Sequence, residues 1–310
     1  MRVVRGFSIG QGRSNFVAIG SFDGVHRAHQ ALIRRTVDEA RQAEANSIVL
    51  TFDPHPLQVI NPGRAPLLLT TFAEKVAAIE ALDPDYLLVV PFTPELARQN
   101  CTAFARQILQ EGLQARRVLV GFNFTFGYRG AGTPETLAAL GKDLGFAVEV
   151  LPPVQVGAET VSSTLIREKL SLGEVRRAAE LLGRPYEVRG QVVRGHGRGR
   201  DLGVPTANLV WPDGKAFPAR GVYAVRVEQG GAWYFGVANF GRRPTFGPNG
   251  AEDSLEVHLL DFSGELYGKY LTVQFLERLR EERTFSAVPQ LLDQIKQDIG
   301  RAREILGQEA

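Results

Sequence analysis

The periodicity of the apolar residues changes once along the chain, near residue 183, and this change restricts the possible folds more than any other feature. From Asn15 to about Pro153, short apolar runs alternate with longer amphipathic ones. The runs at 16–20, 47–52, 86–92, 117–122 and 147–151 read as buried strands, and the stretches near 29–45, 72–82, 102–113 and 134–144 read as helices. That alternation predicts a parallel sheet in an α/β domain. Helix starts are marked by Thr71 with Glu74 at capping-box spacing, and by Thr133 before Pro134. Two shorter helices, near 163–171 and 174–182, lead to Leu182-Gly183-Arg184-Pro185, a helix stop followed by proline.

Beyond that stop the runs take period two, at 186–193, 207–211, 222–228, 233–239, 255–262 and 271–275, with glycines and prolines between them. They predict an antiparallel barrel. An amphipathic segment at 286–306 predicts a helix packed on it. The expected domains are 1–184 and 185–310, as a length of 310 residues suggests at roughly 150 residues per domain.

The longest near-continuous apolar stretch, 86–92, is far short of the ~18 residues a membrane-spanning helix needs. The start, Met1-Arg2-Val3-Val4-Arg5-Gly6, lacks the apolar core of a secretory signal, so a cytoplasmic protein is expected. Cys101 is the single cysteine, which excludes intramolecular disulfides and multi-thiolate zinc sites. The net charge is +2, and neither half carries the basic excess that neutralising many phosphates requires, which disfavours nucleic acid as a partner.

Ligands of open parallel sheets bind beyond the carboxyl ends of the strands, here the loops 21–26, 53–56 and 123–132. The first of these runs through Gly20-Ser21-Phe22-Asp23-Gly24-Val25-His26-Arg27-Ala28-His29 into a helix. A strand-to-helix turn aims backbone amides and the positive helix end at an anion, and His26 and His29 add side-chain donors. Phosphate binding is the natural reading; a two-histidine metal site lacks an evident third ligand.

This segment resembles the HxGH signature of adenylyl-transferring nucleotidyltransferases, with Ala28 where glycine is usual. Four more segments resemble one family, the bifunctional prokaryotic riboflavin kinase/FMN adenylyltransferases, or FAD synthetases. They are Thr51-Phe52-Asp53-Pro54-His55-Pro56, Gly121-Phe122-Asn123-Phe124-Thr125-Phe126-Gly127, Ser162-Ser163-Thr164-Leu165-Ile166-Arg167 and Gly203-Val204-Pro205-Thr206-Ala207-Asn208-Leu209. They occur in family order, and the resemblance extends to the closing Leu255-Glu256-Val257-His258-Leu259-Leu260-Asp261-Phe262. It implies a Rossmann-like nucleotidyltransferase domain followed by a riboflavin kinase-like barrel. The implied ligands are riboflavin, FMN, FAD, ATP, ADP, pyrophosphate and Mg²⁺, with no tightly bound redox cofactor.

In adenylyl transfer the FMN phosphate attacks the α-phosphorus of ATP, and a monoester with a second pKa near 6 is already mostly dianionic at pH 7, so no general base is needed. The site must supply positioning, charge and donors, which His26, His29, Ser162, Ser163 and Arg167 can give. By resemblance, Gly20, Phe22, Asp23 and Thr164 join the ATP site. Phe52, Pro54, Asn123 and Phe126 suit a flat flavin with a polar edge, with core packing a competing role for both phenylalanines.

In the second domain the glycine-rich loop with Gly195, Gly199 and Gly203 has no lysine after the glycines and is no Walker A loop. Thr206 and Asn208 offer hard oxygen ligands of the kind Mg²⁺ takes together with substrate phosphates, and the resemblance assigns them Mg-ATP. Glu256, His258 and Leu260 share one face of an alternating strand. The resemblance makes Glu256 the base for the riboflavin hydroxyl, and places Asn239 and Arg243 near the flavin. Two alternatives stay open at this point: a kinase whose adenylyltransferase is weakened at Ala28, and a non-catalytic flavin or nucleotide sensor.

Overall fold

The computed structural model describes residues 1–9, 14–195, 203–244 and 251–307, with 243, 244, 251, 252 and 306 described by backbone alone. The chain divides into two compact units, Met1–Ser163 and Thr164–Ala310.

The first unit is built on strands β1 (Arg2–Arg5), β2 (Asn15–Ile19), β3 (Asn46–Asp53), β4 (Tyr86–Pro91), β5 (Ala115–Gly121) and β6 (Ala147–Leu151). Their order is β1-β4-β3-β2-β5-β6, and every neighbouring pair is parallel. Helices α1 (Arg27–Gln42), α2 (Phe72–Glu80), α3 (Cys101–Phe104) and α4 (Pro134–Leu144) connect them, and α3 widens into π-helical turns over Ala105–Gly112. Along β2 successive residues serve opposite cores: Val17 and Ile19 pack on one face of the sheet, Ala18 on the other. Both faces are covered, which is why the central strands read as continuous apolar runs. The capping box forms as expected, with Glu74 N–H donating to Thr71 Oγ1 at 3.2 Å and Thr71 N–H to Glu74 Oε2 at 2.8 Å.

Strand β1 was not expected from the sequence. Its four residues have arginine at both ends, and only pairing to β4 from Arg2↔Tyr86 to Arg5↔Val89 makes it a strand. A small hairpin of β7 (Gln155–Val156) and β8 (Glu159–Thr160) follows the sheet.

Helix α5 (Ser163–Leu172) then leads to α6 (Val175–Leu182), which ends at Gly183 with φ 80°, a left-handed cap suited to glycine. The remaining strands are β9 (Tyr186–Val193), β10 (Ala207–Val210), β11 (Gly221–Gln229), β12 (Ala232–Pro244), β13 (Ala251–Leu259) and β14 (Tyr270–Arg280). They close into an antiparallel barrel in the order β10-β13-β12-β11-β14-β9. Strand β13 stops before the expected 262, because Asp261 takes φ 56° and turns the chain. Helix α7 (Val288–Gly307) packs on the barrel beside Val222, Ala224 and Leu279. The Arg280 guanidinium donates to both oxygens of the buried Asp298 carboxylate at 2.8–3.0 Å and locks that helix in place.

Candidate active sites

In the first sheet, chain order runs outward from β2 in both directions, to β3 and β4 on one side and to β5 and β6 on the other. The reversal lies between β2 and β5, the position where open α/β sheets leave a crevice for ligands. The loops after Ile19 and Gly121 meet it, and that after Asp53 is adjacent.

The loop after β2 is strained. Phe22, Gly24 and Val25 all have positive φ, at 51°, 83° and 43°, and a β-branched residue there is costly by roughly 1–3 kcal/mol. Buried polar contacts hold it. The Asp23 carboxylate accepts from Leu69 N–H at 2.9 and 3.1 Å and from Thr70 N–H at 3.1 Å, while Gly24 N–H donates to Thr70 Oγ1 at 3.1 Å. Asp23 therefore shapes the loop with its carboxylate. Phe22, 0% exposed, lies in the core with its ring and backbone both covered, so it shapes this turn from beneath. Gly20 has a packing reason as well, since a Cβ there would press on the Phe22 ring at 3.2 Å.

His26 caps α1, its Nδ1 accepting from His29 N–H at 3.4 Å, which leaves the proton of the neutral ring on Nε2. The two imidazoles stack at 3.6 Å. Burial, then His26 and then Lys75 hold the His29 imidazole well below the ordinary histidine range, so at neutral pH it is an uncharged ring. Its Nδ1 is buried without a hydrogen-bond partner among the described residues. Ser163 Oγ donates to the Asp23 carbonyl at 2.9 Å, tying the Ser162-Ser163 segment to the same loop. Thr164 is exposed, and Arg167 stands half-buried one turn into α5.

Lys75 is a component that sequence reasoning missed. Its ammonium, 6% exposed, donates to the Ser21 carbonyl at 2.9 Å beneath the loop. Burial lowers its pKa, while Asp23 and Asp53 favour the charged form. Lys75 stands three residues after Phe72 and four before Ile79, so the helical period itself puts it on the buried face of α2.

The expected flavin residues separate. Asn123 is exposed after β5 and Pro54 is exposed after β3. The rings of Phe52 and Phe126, 8% and 7% exposed, belong to the apolar core, Phe52 edge-on to Phe92 and Phe126 stacked with Phe124. Both rings therefore have a core-packing role. The exposed aromatics on the 121–132 loop are Phe122 and Tyr128, which sequence reasoning did not select.

In the barrel, residues chosen separately from the sequence form one row. Asn208 of β10 lies opposite Glu256 of β13, and Glu256 lies opposite Asn239 of β12. Directly opposed residues point to the same face. The neighbouring row, Ala207, Val257 and Ala238, is buried on the other face. Thr206 Oγ1 donates to Glu256 Oε2 at 3.2 Å, and His258 Nδ1 lies 2.8 Å from the Pro205 carbonyl. Gly195 lies so close to the Asn208 amide that a Cβ there would overlap it. Gly203 has φ 74°, a backbone conformation that favours glycine. Gly199 and the rest of 196–202 fall outside the described residues, as does the side chain of Arg243.

No helix among the described residues is long and apolar enough to cross a membrane. Residues 9–165 match the FAD synthetase family model and 182–306 the riboflavin kinase model. The bifunctional riboflavin kinase/FMN adenylyltransferase of Pseudomonas fluorescens is 38% identical over 94% of this chain and 93% of its own. That of Bacillus subtilis is 37% identical over 91% and 89%. A crystal structure described as a macrolide-efflux protein from Streptococcus pneumoniae shares the fold over 98% of this chain and 99% of its own, at 33% identity and TM-score 0.89. With both family domains in sequence on one polypeptide, the chain belongs to the bifunctional riboflavin kinase/FMN adenylyltransferase family, which makes FMN from riboflavin and FAD from FMN.

Proposed function

We propose that residues 185–310 phosphorylate riboflavin with ATP, releasing ADP, and that residues 1–184 join FMN to ATP to give FAD and pyrophosphate, both in the cytoplasm. The observation that carries the kinase assignment is the Asn208–Glu256–Asn239 row, which sets one carboxylate between two amides on a single face. Glu256 accepts the proton of the riboflavin primary hydroxyl as it attacks the γ-phosphorus. Thr206, bonded to the same carboxylate, orients it. The family resemblance assigns Asn239 and Arg243 to the flavin.

Thr206 and Asn208 would hold Mg²⁺ with ATP: a hydroxyl and an amide oxygen are hard ligands, and this cation takes few protein oxygens when phosphates supply the others. When bound it neutralises phosphate charge. The family resemblance assigns Gly195, Gly199 and Gly203 to the nucleotide phosphates, where a residue without Cβ permits close backbone approach.

In the adenylyltransferase, Gly20 and the helix start at His26 face the phosphates, with Phe22 supporting the turn from the core. His26 and the neutral His29 act as hydrogen-bond donors, while positive charge comes from Arg167 and the buried Lys75. Ser162 and Thr164 add hydroxyls, and Ser163, whose proton goes to the Asp23 carbonyl, holds that segment against the loop. Asn123, Pro54 and the exposed Phe122 border the flavin. Incubation with riboflavin, ATP and Mg²⁺ followed by chromatography tests the assignment. The parent accumulates FAD, His29→Ala accumulates FMN, and Glu256→Gln makes neither from riboflavin but still makes FAD from supplied FMN. Equal loss of both reactions in either variant would contradict the separation.

A further inference from the structure

The ladder between β10 and β13 runs from Leu209↔Leu255 through Asn208↔Glu256 to Ala207↔Val257 and stops there. Thr206 is the next residue, and it lies outside the ladder. Pro205, before it, has no N–H with which to extend the pairing. At this point a side chain takes over from the backbone. His258, two residues beyond Glu256 on the same face of β13, brings Nδ1 to 2.8 Å from the Pro205 carbonyl. A carbonyl oxygen only accepts, so Nδ1 carries the ring proton and donates it. The segment that presents Thr206 is thus fastened twice to one strand, by Thr206 Oγ1 to Glu256 and by His258 to Pro205.

We propose that His258 is a positioning residue of the kinase: its Nδ1–H bond to the Pro205 carbonyl fixes the Thr206 hydroxyl in register with Glu256 for binding metal-bound ATP. This rests on the reading of Thr206 as part of the ATP site. The bond acts on nucleotide binding more than on proton transfer, because Glu256 is held by its own strand on both sides.

The test uses the full chain, which carries its own control for folding in FAD formation from supplied FMN. His258→Ala raises the half-saturating Mg·ATP for riboflavin phosphorylation by about fivefold to tenfold, the effect of losing one neutral hydrogen bond. Turnover at saturation stays within about threefold of the parent and FAD formation stays parental. His258→Asn, whose amide nitrogen occupies the place of Nδ1, restores the parental value, and His258→Gln does not. As a readout independent of turnover, ¹⁵N spectra of the imidazoles show a ring protonated at Nδ1 that disappears in His258→Asn.

Unchanged half-saturation in His258→Ala overturns the proposal, as does rescue by glutamine in place of asparagine or a ring with bare Nδ1. Thr206→Val separates the two readings. If it weakens Mg·ATP use while His258→Ala does not, only the positioning role fails; if Thr206→Val is itself parental, the assignment of Thr206 to the ATP site fails with it.

Discussion

Thr206 Oγ1 donates a 3.2 Å hydrogen bond to Glu256 Oε2, across the point where β10 leaves its ladder with β13. The bond fixes one carboxylate oxygen and so the direction of the group that is to receive a proton. Glu256→Gln keeps the size of the side chain and a carbonyl that can accept from Thr206, but lacks the basic oxygen. Riboflavin phosphorylation should fall about 10²- to 10⁴-fold, roughly 3–5 kcal/mol of barrier, with much less change in flavin binding. Paired steady-state kinetics and fluorescence titration measure the two; a proportional loss of both would make Glu256 a binding residue.

The His29 ring has a pKa below its unfolded value, first through burial and then through the positive charge that His26, when protonated, and Lys75 place beside it. The unfolded chain therefore binds the extra proton more readily. Stability from this group is present above the unfolded pKa, near 6.5, and is lost as pH falls below it, with a slope of at most about 1.4 kcal/mol per pH unit. His29→Gln cannot titrate and should flatten the decline. Denaturant midpoints of the first unit at pH 7.5 and 5.5 give the comparison, and parallel losses in parent and variant would refute it.

Asp23 accepts backbone hydrogen bonds from both Leu69 and Thr70 while 1% exposed. In Asp23→Asn, Oδ1 can still accept from both N–H groups, but the amide nitrogen that replaces Oδ2 stands against Leu69 N–H, donor facing donor. We expect about 2–3 kcal/mol of destabilisation in the first unit and loss of FAD formation, with FMN formation intact. Parental stability would show that the loop does not depend on this clamp.

Ala28 sits in the first turn of α1 and is absent from the residues of positive φ, so its methyl imposes no backbone strain. Ala28→Gly should leave FAD synthesis within a few-fold of the parent and cost the helix up to about 1 kcal/mol. A large gain in activity would show that the methyl obstructs the nucleotide.

Helix α6 buries Val175, Ala178, Leu181 and Leu182, packing against β14 and β9, and Arg176 pairs with Glu277 at 2.8 Å. A fragment from Thr164 onward should fold and phosphorylate riboflavin. One beginning at Pro185 uncovers that apolar contact and should be weaker by on the order of 5 kcal/mol. Equal melting temperatures would remove any stabilising role for α6.

Strands and helices were legible wherever burial imposes a period. Ile48 to Phe52 could be little else but a strand within a sheet covered on both faces, and Thr71 with Glu74 announced a helix start that the structure reproduces. Candidate site residues could be picked out by residue type and family resemblance, but their juxtaposition could not. Asn208, Glu256 and Asn239 share a row only because β13 lies between β10 and β12, a long-range pairing that no local pattern encodes. The same holds for Lys75 and for Asp23, whose partners Leu69 and Thr70 lie 46 and 47 residues along the chain. Phe52 and Phe126 show the converse: an aromatic suited to a flavin is equally suited to a core, and only the fold shows that both rings are packed in one.

The barrel has a further consequence for how this chain fails. A sheet closed on itself has no terminal strand, so it cannot unzip from one side; detaching any strand opens two edges at once. The parallel sheet of the first unit does end, at β1 and at β6. Under mild denaturing stress the two halves of one polypeptide therefore meet a neighbouring molecule differently. The barrel half stays sealed until it opens as a whole, and the adenylyltransferase half is where unpaired backbone is first offered to another chain.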